Sequence, residues 1–342
     1  MNDGIEICTY TNDMSDSACE MDRLCLQGEE IRMSFLRPYF HARAECYDEY
    51  KITVAREAGR VVSTMAVAMK KVSISGTQCQ AGFIFDLRTH PDYRKRRLAF
   101  DVIRESLEDA ERSGAELLYS YSMKENRLTW EKICGKFDWA PFGGYSYIVW
   151  PVYRLHGRVS GAGSKISAEE AHASMLSSSG PFDLYSSPFE GGRLKGYVSS
   201  WAVKGGACSA WSNDQILKEV IDSIPKKYEI AKNVLDRWPL KYLKHPYLPK
   251  RGDALKSWYL FDFHADTPKA AKELMKVVNN QAFNAGVQYC YLIHTSRFKW
   301  VEAIRGLQPR FFSTAIDYLL MARPVTVEIG RFNNPYVDIR DI

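Results

Sequence analysis

Four consecutive cations, Arg94-Lys95-Arg96-Arg97, close an eight-residue segment that starts at His90-Pro91-Asp92-Tyr93 and runs into a helical pattern from Leu98. Unpaired backbone N–H groups and the helix dipole make such a turn a place for a polyanion. Upstream, Asp86 is the one carboxylate in the strand-like segment 80–89, between Phe85 and Leu87. A carboxylate desolvated there has a raised pKa and suits a general base, unless a neighbouring Arg or Lys pairs with it. Glu125 is a second carboxylate candidate, just past the strand-like segment 117–123. Tyr119 and Tyr121 share one face of that segment, so either hydroxyl is a candidate proton donor, unless both serve sheet packing.

These residues need a scaffold, and the pattern supplies one. Segment 5–11 alternates as a strand, 13–27 has helical spacing, and 29–47 suggests a second helix or helical pair broken at Pro38. Segments 51–57 and 60–72 form a hairpin across Ala58-Gly59. The strand 80–89 leads through the basic turn to a helix with Leu98, Ala99, Val102, Ile103, Leu107 and Ala110 on one face, stopped at Gly114. A strand at 117–123, a short helix at 128–134 and a β-rich run at 142–154 complete one α/β domain, residues 1–154.

A Gly/Ser/Ala-rich connector at 155–180, with a helix at 168–176, opens a second domain, residues 155–342. There, 197–203 and 206–211 read as strands, 213–222 and 226–238 as helices, and 239–253 as a proline-punctuated loop. Then strand 255–264, helix 268–285 (Ala271, Leu274, Met275, Val278, Ala282), Gly286 and strand 287–294 repeat the strand–helix–Gly–strand unit of the first half. The copies differ where an anion would sit. The second has only Ala265-Asp266-Thr267 between strand and helix, too few amides to curve around a pyrophosphate, which makes it a structural or substrate-side half.

Composition narrows the function classes. A chain of 342 residues with 46% hydrophobic residues supports two folded domains. It has no run of about 18 uncharged apolar residues, so no conventional membrane helix is expected. The acidic Met1-Asn2-Asp3-Gly4-Ile5-Glu6 start is unlike a signal peptide. Eight scattered cysteines without a CxxC pair, and seven histidines without metal spacing, point to buried thiols in a reducing cytoplasm and to no metal. A net charge of +5 is compatible with anionic ligands, and without a basic face or a nucleic-acid motif it implies no nucleic-acid partner.

The segment Arg94-Lys95-Arg96-Arg97-Leu98-Ala99, approached through Pro91 and Tyr93, resembles the R/Q-x-x-G-x-G/A loop of the GNAT N-acetyltransferases. Arg94 and Ala99 match, and Arg97 stands where the family has its central glycine. The resemblance implies that Arg94, Lys95, Arg96, Arg97, Leu98 and Ala99 hold the pyrophosphate of acetyl-CoA. It also implies that backbone at Leu87, Arg88 and Thr89 holds the pantetheine arm and polarises the thioester, and that Asn126 fills the asparagine position after the fifth strand. The family's tyrosine proton donor, seven residues on, is replaced by Ile133.

The whole chain is similar to tandem GNAT proteins of the hookless type. Cys134-Gly135, Trp150-Pro151-Val152-Tyr153, Trp201-Ala202-Val203, the helix across Ala271 and Ala282, and the ending Pro335-Tyr336-Val337-Asp338-Ile339-Arg340-Asp341 carry that likeness. The expected fold class is α/β, two GNAT folds in tandem, each a mixed and mostly antiparallel sheet flanked by helices. The function implied is acetyl (acyl) transfer from acetyl-CoA, as co-substrate, to a primary amine of a small molecule or protein by direct attack, without a covalent enzyme intermediate. Asp86, Glu125 and Tyr121 are the catalytic candidates. A non-catalytic acyl-CoA-binding regulator is the alternative, favoured by Arg97 and Ile133, and an aminoacyl or peptidyl transferase is a third possibility. The closing aromatics Tyr145, Tyr147, Trp150 and Tyr153 serve either packing or an acceptor pocket.

Overall fold

Branched and aromatic residues alternating with polar ones form the strands, because successive side chains leave a pleated chain on opposite faces. The computed structural model describes residues 4–28, 30–157, 163–189, 194–237, 244–309 and 314–342. Its strands in chain order are β1 (Ile5–Thr9), β2 (Arg32–Leu36), β3 (Glu49–Glu57), β4 (Arg60–Ile74), β5 (Thr77–Thr89), β6 (Leu117–Met123) and β7 (Ala140–Pro151). The second half continues with β8 (Ser164–Ile166), β9 (Tyr197–Val203), β10 (Gly206–Ser212), β11 (Lys218–Ser223), β12 (Ser257–Ala265), β13 (Tyr289–His294) and β14 (Thr314–Pro324). The helices are α1 (Ser15–Leu24), α2 (Leu98–Arg112), α3 (Arg127–Phe137), α4 (Ala168–Ser179), α5 (Lys226–Leu235), α6 (Pro268–Asn284) and α7 (Val301–Arg305).

Twelve of these strands make one sheet in the order β1-β3-β4-β5-β6-β14-β7-β13-β12-β10-β9-β8. Each half runs inward from its outer edge as an antiparallel series, then crosses by a helix to a parallel neighbour: β5 to β6 through α2, and β12 to β13 through α6. At the centre the halves interlock. β7, from the first half, pairs with β13, and β14, from the second, pairs with β6, while β7 and β14 pair antiparallel with each other. Gly144 stands opposite Leu319 at this crossing, where a Cβ would meet the carbonyl oxygen of Tyr318 at 1.9 Å. Only glycine allows that approach.

The two expected helix faces are the buried ones. Leu98, Val102, Ile103, Leu107 and Ala110 of α2 pack on Val67, Ile84 and Leu118. Ala271, Leu274, Met275, Val278 and Ala282 of α6 pack on Trp150, Trp258 and Leu292. The other face of the sheet is covered by one core common to both halves, which joins Phe83 and Tyr119 to Tyr259 and Tyr291. At roughly 25 cal/mol per Å² of apolar surface, a core shared in this way couples the stability of the halves.

Two sequence expectations are corrected. Segment 29–47 is not helical beyond two short 3-10 turns, and segment 213–222 is not a helix. Instead β2 and β11 pair with each other, Met33 opposite Ile221, in a separate antiparallel ribbon. A long-range partner decides strand over helix here, and no local period reveals it. Strand β14 has no counterpart among the sequence expectations. Parts of the expected connector (158–162) and proline loop (239–243) lie outside the described residues.

Candidate functional site

The basic turn fills the eight positions between the end of β5 and the start of α2, and Arg94, Lys95, Arg96 and Arg97 are all exposed. Its backbone is unusual. Lys95 has φ +71° and Arg97 has φ +63° and ψ 2°, both left-handed, where an L side chain costs on the order of 1 kcal/mol. Arg97 therefore keeps the conformation that a glycine adopts freely. Arg94 ahead of them is extended (φ −63°, ψ 151°), so two left-handed residues, one position apart, bend the chain sharply just before α2. Arg97 is also the N-cap of α2 and offers no side-chain cap, so the first-turn amides of the helix are left to other partners.

The turn is pinned from below. His90 accepts from the Asp92 amide at 3.2 Å, Tyr93 donates its hydroxyl to Glu57, and Arg96 lies over the Tyr93 ring at 4.6 Å. Among the described residues, Arg94, Lys95 and Arg97 form no ion pair.

β5 carries a bulge just before the turn. Met65 of β4 faces both Asp86 and Leu87, and Asp86 takes φ +50°. The parallel pairing of β5 with β6 ends at Phe83 opposite Tyr119, so the edge of Leu87, Arg88 and Thr89 on that side has no strand partner. This splayed edge ends at the basic turn, in the order a long anionic ligand with an extended arm would follow.

Asp86 is not a free base. Arg37 donates to both of its oxygens, at 2.6 and 2.8 Å, with both side chains buried, and the Arg43 guanidinium lies 3.7 Å away. Burial alone would raise the Asp86 carboxyl, but the Arg37 guanidinium outweighs it and holds the group well below the usual carboxylate range. Arg37 also donates to buried Asp22 at 3.0 Å, and Arg88 reaches the other oxygen of Asp22 at 3.2 Å. The chain Arg88–Asp22–Arg37–Asp86 thus ties α1 to the bulge. Asp22, Arg37 and Arg43 gave no sign in the sequence, since a single charged residue in a helix or loop carries no periodic signal.

Tyr121 lies on β6 opposite Leu320 of β14, past the point where β5 and β6 part, and packs against the shared aromatic core. Its hydroxyl donates to the Tyr336 carbonyl at 3.4 Å, and its ring meets Tyr145 edge-on with centroids 5.0 Å apart. Burial pushes its pKa far up, so it is a hydroxyl, not a phenolate, at any working pH. Tyr119 is committed elsewhere: it donates to Asp341 at 2.7 Å. Asp341 also receives Lys70 at 2.8 Å and the Tyr47 hydroxyl at 2.9 Å, within a buried C-terminal segment that includes Asp338 and Arg340.

Glu125 and Asn126 are exposed on the turn that joins β6 to α3, and Asn126 is the N-cap of that helix. Ile133 is buried in the core under α2. Tyr145, Tyr147 and Trp150 are core residues, Trp150 donating to Asn279 at 2.9 Å. All eight thiols are free, and burial raises the pKa of each. Among the described residues no His/Cys/Asp/Glu group has metal-binding geometry, and no helix is long and apolar enough to cross a membrane.

The second half has the same strand–helix crossing but only two residues, Asp266 and Thr267, between β12 and α6, and Thr267 caps the helix by accepting from the Ala270 amide. The Ala270 amide is thus held by a side chain, whereas its counterpart in the first half, the Phe100 amide, donates to the Arg97 carbonyl at 2.9 Å. Yet β12 and β13 also part, beyond Leu260 opposite Leu292, and a cleft of about 580 Å³ opens between them.

Comparison with known proteins agrees with this layout. Residues 6–142 match the family model described as an acetyltransferase (GNAT) domain. Saccharomyces cerevisiae N-myristoyltransferase with bound myristoyl-CoA has a similar fold, with a TM-score of 0.61 over 98% of this chain and 90% of that one, at 13% identity. A second structure of that enzyme with myristoyl-CoA gives 0.63 over 98% and 86%, also at 13% identity. A proposed acetyltransferase from Pyrococcus horikoshii gives 0.55 over 98% and 96%, at 11% identity. At such identities the likeness is one of fold. No curated protein matches the chain by sequence.

Proposed function

We propose that the chain is an acyltransferase of the GNAT type, on the match of residues 6–142 to a GNAT domain, and that its first half holds an acyl-CoA, acetyl-CoA in the simplest case, whose acyl group passes to a primary amine. The observation that carries this proposal is the turn between β5 and α2. Four exposed cations stand on a backbone bent left-handed at Lys95 and Arg97, ahead of an uncapped helix terminus. A diphosphate there gains charge-assisted bonds from the side chains and amides from the bend and first turn, with Leu98 and Ala99 nearest the helix axis. The unpaired edge of Leu87, Arg88 and Thr89 suits an amide-bearing pantetheine arm, which adds to a strand edge as a peptide does.

The reaction is direct attack. The neutral amine nitrogen forms a bond to the thioester carbon, the C–S bond breaks, and the departing thiolate takes a proton. A backbone N–H near Arg88 or Thr89 stabilises the oxyanion, and the Tyr121 hydroxyl supplies the proton to sulfur in place of the family tyrosine replaced by Ile133. Asp86 holds its strand in place through Arg37 and takes no proton from the amine. Exposed Glu125 and Asn126 stand on the turn that follows β6.

The test is calorimetric titration of the full chain with acetyl-CoA and longer acyl-CoAs, followed by thiol-release assays against amines. Binding with amine-dependent CoA release supports the proposal, and no heat at millimolar acyl-CoA rejects it. The loss of the family tyrosine at Ile133 favours a second reading, an acyl-CoA-binding regulator, which would bind with heat but release no thiol with any amine.

A further inference from the structure

The chain Arg88–Asp22–Arg37–Asp86 sets two guanidinium groups against two carboxylates, and all four carboxylate oxygens accept from an arginine in it. Arg43 is a third cation beside this closed set. It lies 3.7 Å from Asp86 Oδ1, which Arg37 already holds at 2.8 Å. A guanidinium carries five N–H donors. Among the described residues none of those on Arg43 meets an acceptor, and its Nε is buried without a partner. Unmade bonds of a desolvated cation are what an anionic ligand supplies. The Arg43 side chain keeps 14% of its surface exposed, against 2% for Arg37, so a small molecule reaches the one and not the other.

The strands fix where this charge stands. Phe83 and Phe85 of β5 point away from α2, into the core common to both halves. The Arg43 guanidinium lies over their rings, 5.9 and 5.0 Å from the centroids. Phe83 opposite Tyr119 is the last parallel pair before β5 and β6 part, and the Tyr121 ring lies 6.4 Å from the same Phe83 ring. Arg43 and Tyr121 thus both stand where the strands open, and both keep some exposed surface. Burial raises the Tyr145 and Tyr318 hydroxyls and the Arg43 charge pulls the other way, which puts that charge within electrostatic reach of both rings. The opposite face is closed by α2, packed on Ile84 and Leu118. An acceptor therefore meets a thioester held between β5 and β6 from the side of Arg43.

We propose that Arg43 receives a carboxylate of the acceptor, so that the substrate class is an amine tethered to a carboxylate, as in an amino acid, and not a simple amine. This rests on the first half holding the acyl-CoA. A planar guanidinium matches a carboxylate through two parallel N–H···O bonds. The aromatic faces beneath Arg43 attract the cation and keep water from it, which strengthens its bond to an anion. The same charge repels an ammonium group, so it sets the acceptor with the carboxylate on Arg43 and the amine turned away from it.

The test uses the full chain, acetyl-CoA and two matched pairs, phenylalanine with phenethylamine and 4-aminobutyrate with propylamine, whose members differ by one carboxylate. Thiol release in the parent chain should favour the carboxylate-bearing member of at least one pair by about tenfold or more in kcat/KM. Arg43→Gln should raise the KM of that amino acid about tenfold or more, while the KM of its simple-amine partner and acetyl-CoA affinity stay within about twofold. Arg43→Lys, which keeps the charge without the fork, should recover part of the loss. No preference in either pair in the parent chain overturns the proposal, and that measurement needs no variant to fold. A preference that survives in Arg43→Gln overturns it as well. So does an Arg43→Gln chain that loses affinity for succinyl-CoA alone, since the carboxylate would then belong to the acyl group. Heat with acetyl-CoA but no carboxylate preference overturns this inference only, whereas no heat with any acyl-CoA rejects the function proposed for the first half and the acceptor assignment with it.

Discussion

Arg37 binds both carboxylate oxygens of Asp86 at 2.6 and 2.8 Å, out of reach of water, and so fixes the bulge on which the splayed edge of β5 depends. Removing one partner of a buried ion pair leaves an uncompensated charge. Arg37→Gln should therefore cost about 3–5 kcal/mol in chemical denaturation at pH 7. The pH dependence has a defined sign. Asp86 is depressed in the folded state, so its contribution is present above the unfolded carboxylate value of about 3.9 and is lost as pH falls further. The deficit of the variant should shrink below about pH 4, and a deficit that stays constant down to pH 2 would show that the pair is not the cause.

Arg97 has φ +63°, the conformation of the glycine it replaces. Arg97→Gly should raise stability by up to about 1 kcal/mol from relief of strain. It should leave acetyl-CoA affinity within a few-fold of the parent, because the amides of the turn remain. Arg97→Val, β-branched and poorly suited to positive φ, should destabilise and weaken binding together. Equal behaviour of the two variants in calorimetry and thermal melts would mean that backbone conformation does not govern the turn.

The strand–turn–helix unit and its duplicate were legible because both rest on local periodicity. Leu98 to Ala110 and Ala271 to Ala282 repeat at helical spacing and lie buried where that spacing puts them. The short second turn was legible by counting residues alone. What the sequence concealed comes from distant partners. The pairing of β2 with β11 turned two helical patterns into strands, and the exchange of β7 and β14 has no local signature. At the candidate site the types of residue were visible but their electrostatics were not. Asp86 looked like a desolvated base until Arg37, 49 positions away, closed it.

Tyr121 is held protonated by burial, so a role as proton donor predicts no alkaline limb from this group below about pH 10. Tyr121→Phe should lower kcat for amine acylation by about 10²-fold or more while acetyl-CoA affinity is kept. An unchanged kcat would leave water as the source of the proton.

Glu219 of β11 is buried, accepts from Tyr259 and Ser257, and has its pKa raised by burial. For a carboxyl raised on folding the native state binds more protons than the unfolded one, so stability falls as pH rises through the folded value. Glu219→Gln cannot ionise and should be more stable than the parent at pH 8, with the advantage shrinking toward pH 5. Urea midpoints across that range check the sign, and an advantage that grows toward acid contradicts it.

The exchange at the centre of the sheet makes the halves dependent on each other. In a chain ending at residue 154, β6 loses its β14 neighbour and β7 loses both of its own, β14 and β13. The common core loses Tyr259, Tyr291, Phe332 and Ile339, and Lys70 loses both carboxylates that face it, Asp338 and Asp341. Open strand edges and a buried cation without a partner favour aggregation over folding. Residues 1–154 expressed alone should be insoluble or lack a cooperative melt, while co-expression with 155–342 should recover a soluble complex. A soluble, cooperatively melting fragment that binds acetyl-CoA by itself would mean that β6 and β7 close the first half without their partners.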